Sequence, residues 1–174
     1  MTAADDAEFR DFVAVRSRAL LRTAYLLTGD HHLAEDLLQT ALTKTYLAWG
    51  RIRKRGAVEA YVRATMVTTQ TSWWRIRWRG ERPTGDFPDV PADDLAQSAV
   101  DDRTVVWRHI RALPIRQRAV VVLRYYDDLS EAEIASILGC SPGTVKSQAS
   151  RALTILRARL AADQVADASI GEGS

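Results

Sequence analysis

The chain has 174 residues, 47% of them hydrophobic and 26% charged, which allows one ordinary domain or two small ones and argues against wholesale disorder. No apolar run approaches the ~20 residues of a membrane span; the acidic start at residues 1–10 lacks the basic end and apolar stretch of a secretory signal, and the lone Cys140 excludes an intrachain disulfide or a cysteine-cluster metal site, so a cytoplasmic protein is expected. The net charge of +2 hides a division: residues 1–79 carry thirteen Lys/Arg against eight Asp/Glu, residues 80–102 one against seven, and residues 103–174 ten against seven. Two basic blocks able to face polyanions thus flank an acidic connector.

In the first block Phe9, Phe12, Val13, Leu20, Ala24 and Leu27 recur at helical spacing. Thr28-Gly29-Asp30 breaks that helix, with Asp30 as N-cap of a second one from about His31 to Trp49. On the second helix Ala34, Leu37, Leu38 and Ala41 share an inward face. Asp36, Gln39 and Thr43 lie opposite at spacings of three and four, a polar patch suited to a basic protein partner. A basic, glycine-containing loop, residues 50–56, leads to a third helix from about Val58 to Arg79. Its end interleaves Trp73, Trp74 and Trp78 with Arg75, Arg77, Arg79 and, just beyond, Arg82. Aromatic faces stack on unpaired bases and guanidinium groups neutralise phosphates, so single-stranded nucleic acid is a reasonable target. At least one of these tryptophans is expected in the core.

Residues 80–102 hold three of the five prolines and no sustained periodicity, and read as a flexible acidic linker. Its 23 residues could reach roughly 75–80 Å at ~3.3–3.6 Å per residue. Four short helices should follow, at about 103–112, 115–126, 131–138 and 142–160. Val106, Ile110 and Leu113 form one apolar stripe, and Ala119, Val122, Leu123 and Tyr126 another. The tail beyond, 161–174, is polar. The expected architecture is all-α: two small helical domains, an N-terminal bundle over 1–79 and a C-terminal helix-turn-helix bundle over 103–160, joined by the linker.

The richest stretch runs from Leu129 to Leu153. Ser130 and Glu133 form a capping box, Gly139 supplies a left-handed helix end, and Ser141-Pro142 restarts a helix. Two helices on so short a turn make the DNA-binding helix-turn-helix. On the second of them, at ~100° per residue, Val145, Ala149, Ala152 and Leu156 face inward. Ser147, Ser150, Arg151 and Thr154 face outward, with Lys146 and Gln148 on the flanks. Such a polar, basic face suits base edges in the major groove.

Taken together, these residues resemble the extracytoplasmic-function group of the sigma-70 family, over most of the chain from about Phe9 to Leu160. The stretch LTGDHHLAEDLLQTAL resembles the segment that docks on the clamp coiled coil of RNA polymerase, which implies polymerase-binding roles for Asp36, Gln39 and Thr43. The WW-R-R-R-ERP ending resembles the SigE-like branch. LPIRQRAVVVLRYYDDLSEAEIASILGCSPGTVKSQASRAL resembles the region that reads the −35 promoter element, implying DNA contacts from Thr144, Lys146, Ser147, Gln148, Ser150 and Arg151. By the same likeness Arg51, Arg53, Lys54 and Arg55 lie near the loop that captures a flipped base of the −10 element. Tyr61, Arg63, Thr68, Trp73, Trp74, Arg75 and Arg77 belong to the helix lining that site, with Thr68 where relatives usually carry Asn. The implied domains are a region 2-like unit over 1–79 and a region 4-like unit over 103–160. The acidic linker would thread through the polymerase toward its RNA exit channel. The implied partners are core RNA polymerase, through its clamp coiled coil and flap, and promoter DNA, with room for an anti-sigma factor; the chain would act as a monomer within the holoenzyme.

A stand-alone helix-turn-helix regulator with an N-terminal sensing or dimerisation domain is the alternative, and it would bind symmetric half-sites as a dimer. An enzyme ranks last. His31, His32, Glu35 and Asp36 could touch a metal at i, i+4, but no further ligand or glycine-rich phosphate loop accompanies them, so neither cofactor nor catalytic residue is expected.

Overall fold

The computed structural model describes residues 3–52, 55–79 and 102–171, with side chains over 4–52, 56–76 and 105–165. Helix α1 spans Ala3–Thr28, α2 His31–Ala48 and α3 Val58–Arg79; short 3-10 turns at Trp49–Arg51 and Arg55–Ala57 sit in the stretch read as a loop. In the C-terminal half α4 spans Asp102–Arg111, α5 Ile115–Tyr125, α6 Glu131–Leu138 and α7 Pro142–Gly171. The described residues contain no strand, in keeping with the all-α expectation. Residues 80–101 of the expected linker lie outside the described residues, and its last residue, Asp102, opens α4.

The turn between α1 and α2 forms as its residues dictate. Gly29 takes a left-handed φ of 74°, and Asp30 Oδ1 accepts from the Leu33 N–H at 2.8 Å, capping α2. Gly29 is also pressed against the C-terminal half, since a Cβ there would meet Arg111 Nε at 2.5 Å. At the other end of the hairpin Phe9 packs edge-on against Tyr46 and Trp49, with ring centroids 5.0 and 5.1 Å apart. The Tyr46 hydroxyl donates to Asp6 Oδ1 at 3.0 Å. Buried threonines are tolerated inside these helices because their hydroxyls donate back one turn: Thr45 to the Ala41 carbonyl and Thr65 to that of Tyr61, both at 2.8 Å.

The sequence stripes become the core. Leu20, Ala24 and Leu27 of α1, Ala34, Leu37, Leu38 and Ala41 of α2, and Val62 and Met66 of α3 are all buried. That core does not end with the N-terminal half. Val120, Val122 and Leu123 of α5, Ile134 of α6 and Val145 of α7 belong to the same contiguous cluster. A second, smaller cluster, Ile110, Leu113, Val121, Ala152 and Leu156, is internal to the C-terminal half. Truncating a fully buried leucine such as Leu27 or Leu123 to alanine in cores of this kind costs about 2–5 kcal/mol.

Two details differ from the expectations. Tyr126, placed in an apolar stripe with Ala119, Val122 and Leu123, is 49% exposed, because α5 ends at Tyr125 and the chain turns away. Helix α7 runs on to Gly171 instead of stopping near Leu160. Arg157 to Ala166 is rich in strong helix formers, and the extension is pinned to α4. Asp163 Oδ2 lies 2.7 Å from His109 Nε2 and 3.0 Å from Arg108 Nη2, and the His109 carbonyl accepts from Arg159 at 3.3 Å. The His109 hydrogen bond is the main cause holding the Asp163 carboxyl below its ordinary range.

Candidate nucleic-acid interface

The helix-turn-helix is built by its capping residues. Ser130 Oγ accepts from the Glu133 N–H at 3.3 Å, while Glu133 Oε2 accepts from the Ser130 N–H at 2.8 Å and from its hydroxyl at 2.7 Å. Those bonds draw the Glu133 carboxyl below its ordinary pKa, the Ser130 hydroxyl being the largest cause. Gly139 ends α6 with a left-handed φ of 63°. Ser141 Oγ then accepts from the Thr144 N–H at 3.1 Å at the start of α7.

Helix α7 divides its faces as its sequence requires. Val145, Ala149, Ala152 and Leu156 are buried; Lys146, Ser147, Ser150, Arg151 and Thr154 are exposed. Thr144 and Gln148 are partly covered. The outward row therefore offers an ammonium, a guanidinium and hydroxyls from a rigid helix, the mixture that reads base edges and phosphates.

On α2, Asp36, Gln39 and Thr43 are all exposed on one face, with the Thr43 hydroxyl donating to the Gln39 carbonyl at 2.8 Å. Beside them an open groove is lined by Phe9, Leu21, Leu38, Leu42 and Tyr46, with the Glu35 carboxylate and the Gln39 amide bordering this apolar ground. Lys44 Nζ donates to Thr69 Oγ1 at 3.0 Å and ties α2 to α3.

The residues assigned to the −10 element do not share one face. Tyr61, Thr68 and Arg75 are exposed and, at i, i+7 and i+14, line one stripe of α3. Trp73 is partly buried and packs against the main core, whereas Trp74 is 47% exposed. Arg63 points elsewhere: Nη2 lies 2.8 Å from Glu59 Oε1 and Nε 2.8 Å from Asp127 Oδ2. Arg51 is exposed on its 3-10 turn. Arg53 and Lys54 lie outside the described residues, as do the side chains of Arg55, Arg77 and Trp78.

Sequence reasoning missed the polar residues that join the two halves. Asp127 Oδ1 accepts from the Thr23 hydroxyl at 2.8 Å while its other oxygen holds Arg63. Arg118 Nη1 donates to the Leu27 carbonyl at 2.9 Å, and Gln70 Nε2 donates to the same oxygen. Tyr25 stacks on His31 at 4.4 Å and leans toward Trp107 at 5.9 Å. One signal was present: Arg118 stands one helical turn before Val122, on the side of its helix that faces the core, where a charge demands a partner.

Two family models match the chain, Sigma-70 region 2 over residues 12–80 and Sigma-70, region 4 over residues 103–156. The chain is 44% identical to the RNA polymerase sigma-E factor of Streptomyces coelicolor, over 89% of its own length and 87% of the relative's. It is 34% identical to the ECF RNA polymerase sigma factor SigM of Mycobacterium tuberculosis, over 91% of its own length and 78% of the relative's. Among solved structures, the sigma factor RpoE of Bartonella quintana, crystallised with the anti-sigma factor NepR, superposes with a TM-score of 0.74 at 27% identity, covering 90% of this chain and 98% of that one.

Proposed function

The chain belongs to the extracytoplasmic-function sigma factors of the sigma-70 family and serves promoter-directed transcription initiation; from that premise we propose how its surfaces divide the work. The region 2-like unit, 1–79, docks on the clamp coiled coil of core RNA polymerase through Asp36, Gln39 and Thr43. Its α3 stripe of Tyr61, Thr68 and Arg75, with the basic turn from Arg51 to Arg55 and the Trp73–Arg77 end, takes the opened −10 segment. The region 4-like unit, 103–160, reads the −35 element with the exposed row of α7, while the linker 80–102 connects the two. Polymerization chemistry is left to the core enzyme, and the chain works in the cytoplasm, where polymerase and promoter are. An anti-sigma factor is a further partner, by analogy with the Bartonella complex.

The observation that carries this reading is the outward row Lys146, Ser147, Ser150 and Arg151 on a helix whose opposite face is buried. A bidentate base contact is worth about 1–3 kcal/mol of discrimination. Arg151→Ala should therefore weaken transcription from a preferred promoter more than from one whose contacted base pair is already changed. Equal losses on both templates would reduce Arg151 to a phosphate anchor.

A further inference from the structure

Helix α3 carries hydroxyls that are already committed. Thr65 Oγ1 donates to the Tyr61 carbonyl at 2.8 Å, and Thr71 Oγ1 to the Val67 carbonyl at 2.8 Å. Thr68 Oγ1 shares its proton between the carbonyls of Ala64, at 2.9 Å, and Thr65, at 3.1 Å. A hydroxyl has one proton to give. Once that proton is turned back onto the helix, the side chain keeps a methyl group and an oxygen that can only accept. The same bonds hold the branched side chain in one rotamer, so its methyl stands at a fixed place.

Thr68 is the exposed member of the three; Thr65 is buried and Thr71 partly covered. Ala64 lies one turn before Thr68 and Tyr61 two turns before it, on the same side of α3, and Arg75 two turns after. A methyl and an exposed phenol ring therefore extend apolar ground on one side of Thr68, and a guanidinium able to hold a phosphate stands on the other. Two kinds of base contact are open to Thr68: its methyl against another methyl, or its oxygen accepting from an amino group of adenine or cytosine. The apolar neighbours favour the first. Among the four bases of DNA only thymine carries a methyl, and a threonine methyl on a rigid helix is a suitable partner for it.

We infer that Thr68 selects one thymine of the opened −10 segment through its methyl group, and that its hydroxyl serves only to hold that methyl in place. This rests on the assignment of the α3 stripe to the −10 segment and adds the chemical group that chooses a base there. An unpaired base exposes its methyl together with its edges and face, so the contact forms once the strands have parted.

The test uses holoenzyme made with the full chain or with Thr68→Val, which keeps a methyl at that place and removes the hydroxyl, or Thr68→Ser, which does the reverse. Each transcribes a pool of promoters with a randomised downstream motif, and the transcripts are sequenced. Parent and Thr68→Val should select the same bases, whereas Thr68→Ser should lose its preference for thymine at one position and keep the rest. Deoxyuridine in the non-template strand at that position, which lacks only the methyl, should cost parent and Thr68→Val about three- to fivefold in transcript, the size expected for one buried methyl. It should cost Thr68→Ser nothing. A changed selection by Thr68→Val, a parent-like selection by Thr68→Ser, or parent transcription indifferent to deoxyuridine overturns the inference. Tyr61→Ala and Arg75→Ala separate the two levels. If they alter the use of the downstream motif while the Thr68 variants behave otherwise than stated, α3 stays at the −10 segment and only the methyl contact falls. If they and both Thr68 variants all select as the parent does, the assignment of α3 is wrong and the methyl contact falls with it.

Discussion

Arg118 Nη1 reaches the carbonyl of Leu27, 2.9 Å away at the end of α1, so a guanidinium of the C-terminal half caps a helix of the N-terminal half. Its Nη2 also serves the carbonyls of Arg111 and Leu113. Burial, with Arg111 nearby, pushes the guanidinium down to about 10, which still leaves it charged at neutral pH. Hydrogen bonds to charged groups are worth about 1.5–3 kcal/mol, and Arg118→Met should destabilise the protein by about 2 kcal/mol in urea unfolding. A midpoint that rises would mean that desolvating the charge costs more than its bonds return.

Asp36 sits on an exposed face of α2 with Gln39 and Thr43. Asp36→Arg should leave stability within about ±0.5 kcal/mol, as for other outward substitutions, while abolishing retention on core polymerase. Normal co-purification of the variant would remove this face from the polymerase interface.

The capping box of α6 carries a pH signature. Glu133 is held below its ordinary pKa in the folded protein, chiefly by the Ser130 hydroxyl and then by the Ser130 N–H. A depressed carboxyl contributes stability that is present above its unfolded pKa, about 4.3, and is lost as pH falls through the folded value. Glu133→Gln can still accept the N–H but has no titration. Its deficit against the parent should therefore be visible at pH 6 and shrink as the pH is lowered below the ordinary glutamate value of about 4.3. A deficit that stays constant across this range would assign the effect to packing.

The amphipathic stripes were legible because a helix face depends on residues three or four apart: Val145, Ala149, Ala152 and Leu156 fall inward as their spacing requires. Caps were legible for the same local reason, as at Asp30, Ser130 and Gly139. The packing of one half on the other was not. Thr23 and Asp127 are 104 residues apart, and nothing in the periodicity of either helix announces that they meet. The partners of Arg63, a residue placed at the −10 site by resemblance, were hidden on the same account, since Asp127 lies 64 positions away in the chain. The continuation of α7 past Leu160 was missed because its anchor, His109 with Arg108, lies on α4.

Run-off transcription on fragmented genomic DNA with core polymerase, with and without the chain, asks outright whether this protein directs polymerase to promoters. Promoter direction through two elements predicts discrete transcripts that require the chain and whose start sites share two short upstream motifs at a fixed spacing. Lys146→Ala and Arg151→Ala should weaken dependence on the upstream motif, and substitutions in the α3 stripe dependence on the downstream one. Transcripts identical with and without the chain, or chain-dependent binding to symmetric half-sites as a dimer with no new start sites, would contradict the account.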